Sequence, residues 1–133
     1  MIHWFFRFLI TFAVFMVIDL IWLGVIAKNL YRKYLGHLMK KKVNWNAAII
    51  FYCIFIGGLI FFVIDPALEK ENVRYAVLAG GAFGLITYAT YDLTNLATLQ
   101  DWPIAIAVID LIWGTVLSGA TAGVSFGIIN YLL

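Results

Sequence analysis

Tyr88, Tyr91, Asp92 and Asn95 fall at i, i+3, i+4 and i+7 of an otherwise apolar run, so two phenols, a carboxylate and an amide share one stripe of a helix. A carboxylate in hydrocarbon costs several kcal/mol unless it is paired, protonated or turned to water. Asp92 is therefore a candidate functional group, and the stripe is expected to look inward. Two more acids have similar surroundings, because the hexapeptide VIDLIW occurs twice, at Val17–Trp22 and Val108–Trp113, and places Asp19 and Asp110 inside apolar segments. Trp22 and Trp113 follow these acids by three residues and share their helix faces. Such a set could bind a cation, relay a proton, or act as general acid and base.

The depths of the three acids agree. Asp19 lies nine residues before Lys28, Asp92 nine before Asp101, and Asp110 nine after Asp101. At the helical rise each sits about 13 Å from the same end of its helix. The three carboxylates thus belong to one layer, with no Lys or Arg at that depth. Desolvation and mutual repulsion disfavour three simultaneous charges unless a cation or a water-filled cavity compensates. The acids would titrate as a coupled set.

The elements that carry this layer follow from composition. The 133 residues are 65% hydrophobic and 17% aromatic, with only 12% charged. An integral membrane protein is implied, since apolar runs of about 20 residues cross a hydrocarbon core of about 30 Å. Four are expected, over about residues 4–27, 45–64, 74–99 and 103–133, giving an all-α, polytopic four-transmembrane-helix bundle as a single domain over 1–133. The first run is longer than a signal-peptide core, carries Asp19, and has no convincing cleavage site, so it is read as helix one. Between helices three and four only Gln100, Asp101 and Trp102 intervene before Pro103. A tight antiparallel hairpin is expected, with Asp101 placed to help cap helix four. Asp65 and Pro66 similarly look like the N-cap and first turn of a short helix in DPALEKEN, whose charges read as a solvated face.

Six of the nine Lys and Arg residues lie between Lys28 and Lys42. The positive-inside rule then puts the first loop in the cytoplasm and both termini outside, with Arg7 arguing weakly the other way. Within residues 28–42, Leu30, Tyr31, Tyr34, Leu35 and Leu38 recur at helical spacing. Such a basic amphipathic segment suits a helix lying on the membrane surface. Lys28, Arg32, Lys33, Lys40, Lys41 and Lys42 would then rest on anionic lipid head groups, although a loop that is basic for topology alone fits the pattern equally well. His37 reads as a surface residue.

Gly57 with Gly58, and Gly80 with Gly84, suggest close helix contacts, and Gly119, Gly123 and Gly127 offer a packing surface to a partner helix or to a second copy in a homodimer. Cys53 is the single cysteine and excludes an intramolecular disulfide. No cofactor motif is present. Three Asp with Asn95 could in principle supply oxygen ligands to Mg²⁺, but no paired metal-binding acidic cluster occurs, and no resident metal is expected. Nucleic-acid binding is not expected, because the basic run is one membrane-adjacent loop without a recognisable module.

The segments DLIWLG at Asp19–Gly24, YRKYLGHLM at Tyr31–Met39, and NW followed by AA and FY over Asn44–Tyr52 form a pattern with two others, GAFGLITYATYDLTNLATLQDWP at Gly81–Pro103 and DLIWGTVL at Asp110–Leu117. Over nearly its whole length the chain resembles domain-of-unknown-function family 2177, a bacterial family of small four-helix membrane proteins. The resemblance implies the four-helix fold, a multi-pass location in the cell inner membrane, and a site around YDLTNLATL. It implies no particular activity.

The function best matched by the carboxylate layer is proton- or cation-linked binding or transport of a small or lipophilic substrate. A membrane-embedded enzyme acting on a lipid or isoprenoid is the alternative. Asp92 or Asp110 would serve there as acid or base, Tyr88, Tyr91 and Asn95 would orient, and Trp22 and Trp113 would shape the pocket. A structural subunit is a third reading, with the acids protonated and used as interhelical donors. Aspartate is a poor choice for that role, since Ser, Thr or Asn would serve without an ionisation penalty.

Overall fold

A computed structural model describes residues 2–27 and 29–133. Helix α1, Ile2–Ile21, continues as a π-helical turn over Trp22–Ile26. A short α2, Leu30–Leu35, runs into a 3₁₀ turn at Gly36–Leu38. Helix α3, Trp45–Leu59, passes through a π-helical stretch at Ile60–Ile64 into α4, Asp65–Lys70. Helices α5, Val73–Thr98, and α6, Ile104–Leu132, complete the chain. No strand occurs among the described residues.

Local chemistry sets these limits. Asn44 and Asn72 each accept from the backbone N–H three residues on, at 3.2 Å, and so begin α3 and α5. The ladder widens to π geometry just before Pro66, which has no N–H to donate and crowds the carbonyl of the preceding turn. Asp65 therefore starts no separate helix and caps nothing. The second apolar helix runs unbroken over Trp45–Lys70, past the expected end at residue 64. It stops at Glu71, in the left-handed region at φ 51°. Asp101, expected to cap α6, sits instead at φ 64° and turns the chain; Pro103 occupies the cap position without a side-chain bond.

Helices α5 and α6 form the most intimate pair, and glycines fix their register. A methyl at Gly84 would strike the Gly114 carbonyl and Ser118, one at Gly80 would meet Ala122, and one at Gly114 would enter the Tyr88 ring. Without side chains at these points the two backbones approach closely, which suits a medium where apolar burial gives no advantage over lipid and packing must hold helices together. Gly119 and Gly123 belong to the same seam, against Val77 and Gly81 of α5, while Gly127 has no described atom within 4 Å.

Phe15 of α1, Phe55, Ile56 and Leu59 of α3, Ala76 of α5, and Leu117 and Phe126 of α6 form the buried core with their neighbours. Phe15 meets Phe55 and Tyr52 with ring centroids 5.4 and 5.8 Å apart. The outer surface is rich in exposed Ile, Leu, Val and Phe, among them Leu20, Ile54, Phe62, Leu78, Ile86 and Ile112. Three helices, Ile2–Ile26, Trp45–Lys70 and Ile104–Leu132, are long and apolar enough to cross a membrane. Helix α5 matches them in length, but its threonines, tyrosines and Asp92 lower its hydropathy.

Candidate functional site

The α5–α6 register that pairs Gly84 with Ser118 and Tyr88 with Gly114 carries one turn further to Asp92 and Asp110, whose carboxyl groups are neighbours. Asp92 is fully buried, and neither of its oxygens has a hydrogen-bond partner among the described residues. The indole Nε1 of Trp102, beside Asp92, is buried and likewise unpartnered. Buried polar atoms without partners are rare in folded proteins, and each signals water, an ion or a function.

Asp110 is better supplied. The Tyr31 hydroxyl donates to its Oδ1 at 2.6 Å, and Trp22 Nε1 donates to the Tyr31 oxygen at 3.2 Å. Burial, reinforced by the bond to Asp110, pushes the Tyr31 phenol above its ordinary pKa, so this donor keeps its proton. Asp19 accepts from Trp113 Nε1 at a longer 3.4 Å. The Trp22 and Trp113 rings stack between the two acids, centroids 4.4 Å apart and 12° from parallel. The tryptophan of each hexapeptide thus serves the aspartate of the other, directly in one case and through Tyr31 in the other. That exchange is what two antiparallel helices with the same acid-to-indole spacing produce.

Tyr88 lies between these groups, its ring over Gly114 and its hydroxyl within electrostatic reach of Asp19, Asp110 and Asp92. It also lines a cavity of about 350 Å³ with Phe51, Thr87 and Tyr91. That volume is within the range of small-molecule sites, roughly 300–1,000 Å³. Asn95 is half-buried. Tyr91 departs from the expected inward stripe: it is 57% exposed, with its ring edge-on to Trp102 at 5.6 Å. A stripe three to four residues apart spans a wide arc, and α6 covers only the part that includes Asp92 and Tyr88. Among the described residues no three acids or other ligating side chains gather closely enough to hold a metal ion.

Two residues join the site that spacing alone does not assign to it. Tyr31, expected on the apolar face of a surface segment, reaches Asp110, and its only sequence signal is an aromatic hydroxyl close to Trp22. Trp102, in the turn before α6, places its indole beside Asp92. Arg7 lies at the opposite end of the bundle, paired with Asp65 at 2.7 Å. Of the basic residues assigned to the membrane surface, Arg32, Lys33, Lys40, Lys41 and Lys42 are exposed, and Lys28 lies outside the described residues.

No curated protein and no solved structure matches the chain. The family model for predicted membrane proteins of DUF2177 matches residues 4–127, and the chain belongs to that family.

Proposed function

We propose that this protein binds a small lipophilic substrate in a proton- or cation-linked manner, as a four-span carrier in the inner membrane, with Asp92 as the linking group. One observation carries the reading. Of the three acids of the layer, buried Asp110 and half-buried Asp19 have donors, whereas Asp92 is buried completely with both oxygens unpartnered. A charge left so would be costly, so the geometry favours a proton or a substrate cation arriving there. The apolar cavity walled by Phe51 and Tyr88 would accept the substrate's hydrocarbon part.

In this reading α5 is the remaining span, its Asp92 and Tyr88 covered by α6 and its Leu85 and Ile86 turned to lipid. The exposed basic residues between α2 and α3 would lie at the cytoplasmic head groups, leaving both termini outside.

The test uses octylamine as a lipophilic cation and 1-octanol as its neutral counterpart, in protein held in lipid nanodiscs. Octylamine is expected to raise the melting temperature of the wild type and not of Asp92→Asn, and octanol is expected to raise neither. A single site at 100 times Kd stabilises by about 2.7 kcal/mol, readily seen in melting. Equal shifts with amine and alcohol, or an undiminished amine effect in Asp92→Asn, would remove Asp92 from this role.

A further inference from the structure

A second set of unpartnered polar groups lies away from the carboxylates. Ser118, Thr121 and Ser125 of α6 and Thr11 of α1 are each 0% exposed, and none of the four hydroxyls has a hydrogen-bond partner among the described residues. Threonine and serine in apolar helices ordinarily satisfy themselves by donating to the carbonyl one turn back. Here Thr87, Thr90, Thr98 and Thr115 do so, at 2.7 to 3.0 Å. Thr115, on the same helix as the three unpartnered residues, shows that α6 accommodates this bond. The four hydroxyls buried inside the bundle make no such bond, and exposed Thr94, the other that makes none, faces outward.

Their positions form a file. Asp110, Gly114, Ser118, Thr121 and Ser125 occupy i, i+4, i+8, i+11 and i+15, one narrow stripe of α6 about 22 Å long. Where the stripe has no side chain, at Gly114, the Tyr88 ring fills the space. On α1, Arg7, Thr11, Phe15 and Asp19 repeat every fourth residue. Extended along both helices, the antiparallel register that sets Trp113 against Asp19 carries Thr11 toward the level of Thr121 and Arg7 toward that of Ser125, to within about a turn. At that end Arg7 and Asp65 line a cavity of about 490 Å³, and Arg7 Nε is itself buried without a partner.

We infer that this hydroxyl file holds water and forms a proton route joining the Arg7–Asp65 cavity to the Asp92–Asp110 layer. A hydroxyl both donates and accepts, so each member takes up one proton and releases another without net change. Bound water supplies the partners that the four side chains lack. The inference rests on reading Asp92 as a proton- or cation-linked site, for which it supplies access from the membrane face opposite the basic loop.

Thiol accessibility tests it. In a Cys53→Ser background reconstituted in nanodiscs, Thr121→Cys and Ser125→Cys are treated with 2-aminoethyl methanethiosulfonate, whose sulfur a hydrated thiolate attacks to form a mixed disulfide with release of methanesulfinate, beside the lipid-facing control Val124→Cys; adducts are read by mass. The file thiols are expected to react at least tenfold faster than the control. Rates no faster than the control, in variants melting like the parent, overturn the route. Radiolytic hydroxyl labelling of unmodified protein decides the case if the variants do not fold. Phe15 and Ile129 are expected to oxidise more than lipid-facing Phe62 and Ile112, and the reverse order overturns the route as well. Octylamine binding with an unreactive file would defeat the route alone, whereas a reactive file without Asp92-dependent amine binding would defeat the carrier reading alone.

Discussion

Trp22 and Trp113 stack 4.4 Å apart with their indole N–H groups aimed at opposite ends of the carboxylate layer, one to Tyr31 and one to Asp19. The pair joins α1 to α6 by ring contact and holds two acids by hydrogen bonds. Trp113→Phe keeps a ring in the stack but removes the Asp19 donor. It is expected to cost about 0.5–1.5 kcal/mol, the usual net worth of one hydrogen bond, here to a half-buried acceptor, and Trp113→Phe with Asp19→Leu is expected to recover part of the loss. Thermal melting in nanodiscs reads both.

Tyr31→Phe removes the donor from Asp110 and is expected to lower stability by about 1.5–3 kcal/mol near neutral pH. Because the folded state holds the Tyr31 proton more tightly than the unfolded chain does, this contribution is complete below the ordinary phenol pKa of about 10 and declines as pH rises above it. The melting-temperature difference between wild type and Tyr31→Phe should therefore be constant from pH 7 to 9 and narrow above about pH 10. A difference that grows with alkalinity would contradict the assignment.

The glycine seam predicts a sharp positional contrast. Gly84→Ala and Gly114→Ala place a methyl into backbone or into the Tyr88 ring, and each is expected to destabilise by about 1–3 kcal/mol or more. Gly127→Ala meets no described atom within 4 Å and should change stability by less than about 0.5 kcal/mol. Melting of the three variants side by side checks the register on which the Asp92–Asp110 pairing depends.

Glu71 ends α4 in a left-handed conformation, at φ 51°, that costs a residue with a Cβ about 1–2 kcal/mol. Glu71→Gly is expected to raise stability by up to about 1 kcal/mol, since glycine is the usual residue there, its greater unfolded-state freedom offsetting part of the gain. An unchanged or lower melting temperature would mean that the carboxylate has a role beyond the turn.

Arg7 and Asp65 are half-buried partners at 2.7 Å. Arg7→Gln and Asp65→Asn should each destabilise, and the double variant should be less damaged than the sum of the two. The coupling is expected at about 1 kcal/mol, between the values of surface and buried pairs. A double-variant cycle of melting free energies gives the coupling directly, and additivity would show that the pair contributes nothing.

The helical, membrane-embedded character was legible in the sequence because lipid imposes one rule on every residue of a span: apolar side chains outward for about 20 residues, backbone satisfied internally. The same rule made Asp19, Asp92 and Asp110 conspicuous, and the short link through Trp102 brought α5 against α6. The caps at Asn44 and Asn72 are equally local. What spacing could not express was which helices meet and at what level. Whether VIDLIW at Val17–Trp22 faces its copy at Val108–Trp113 depends on the glycine seam and on Phe15 filling the space beside Tyr52 and Phe55. Asp65 looked like a cap because a cap and an ion-pair partner are the same residue type; only Arg7, 58 positions away, distinguishes them. Tyr31 looked like a surface aromatic for the same reason. Sequence determined the medium, the helices and the acids; tertiary structure alone decided which acid has no partner, because a hydrogen bond across the bundle depends on the packing of helices remote in the chain.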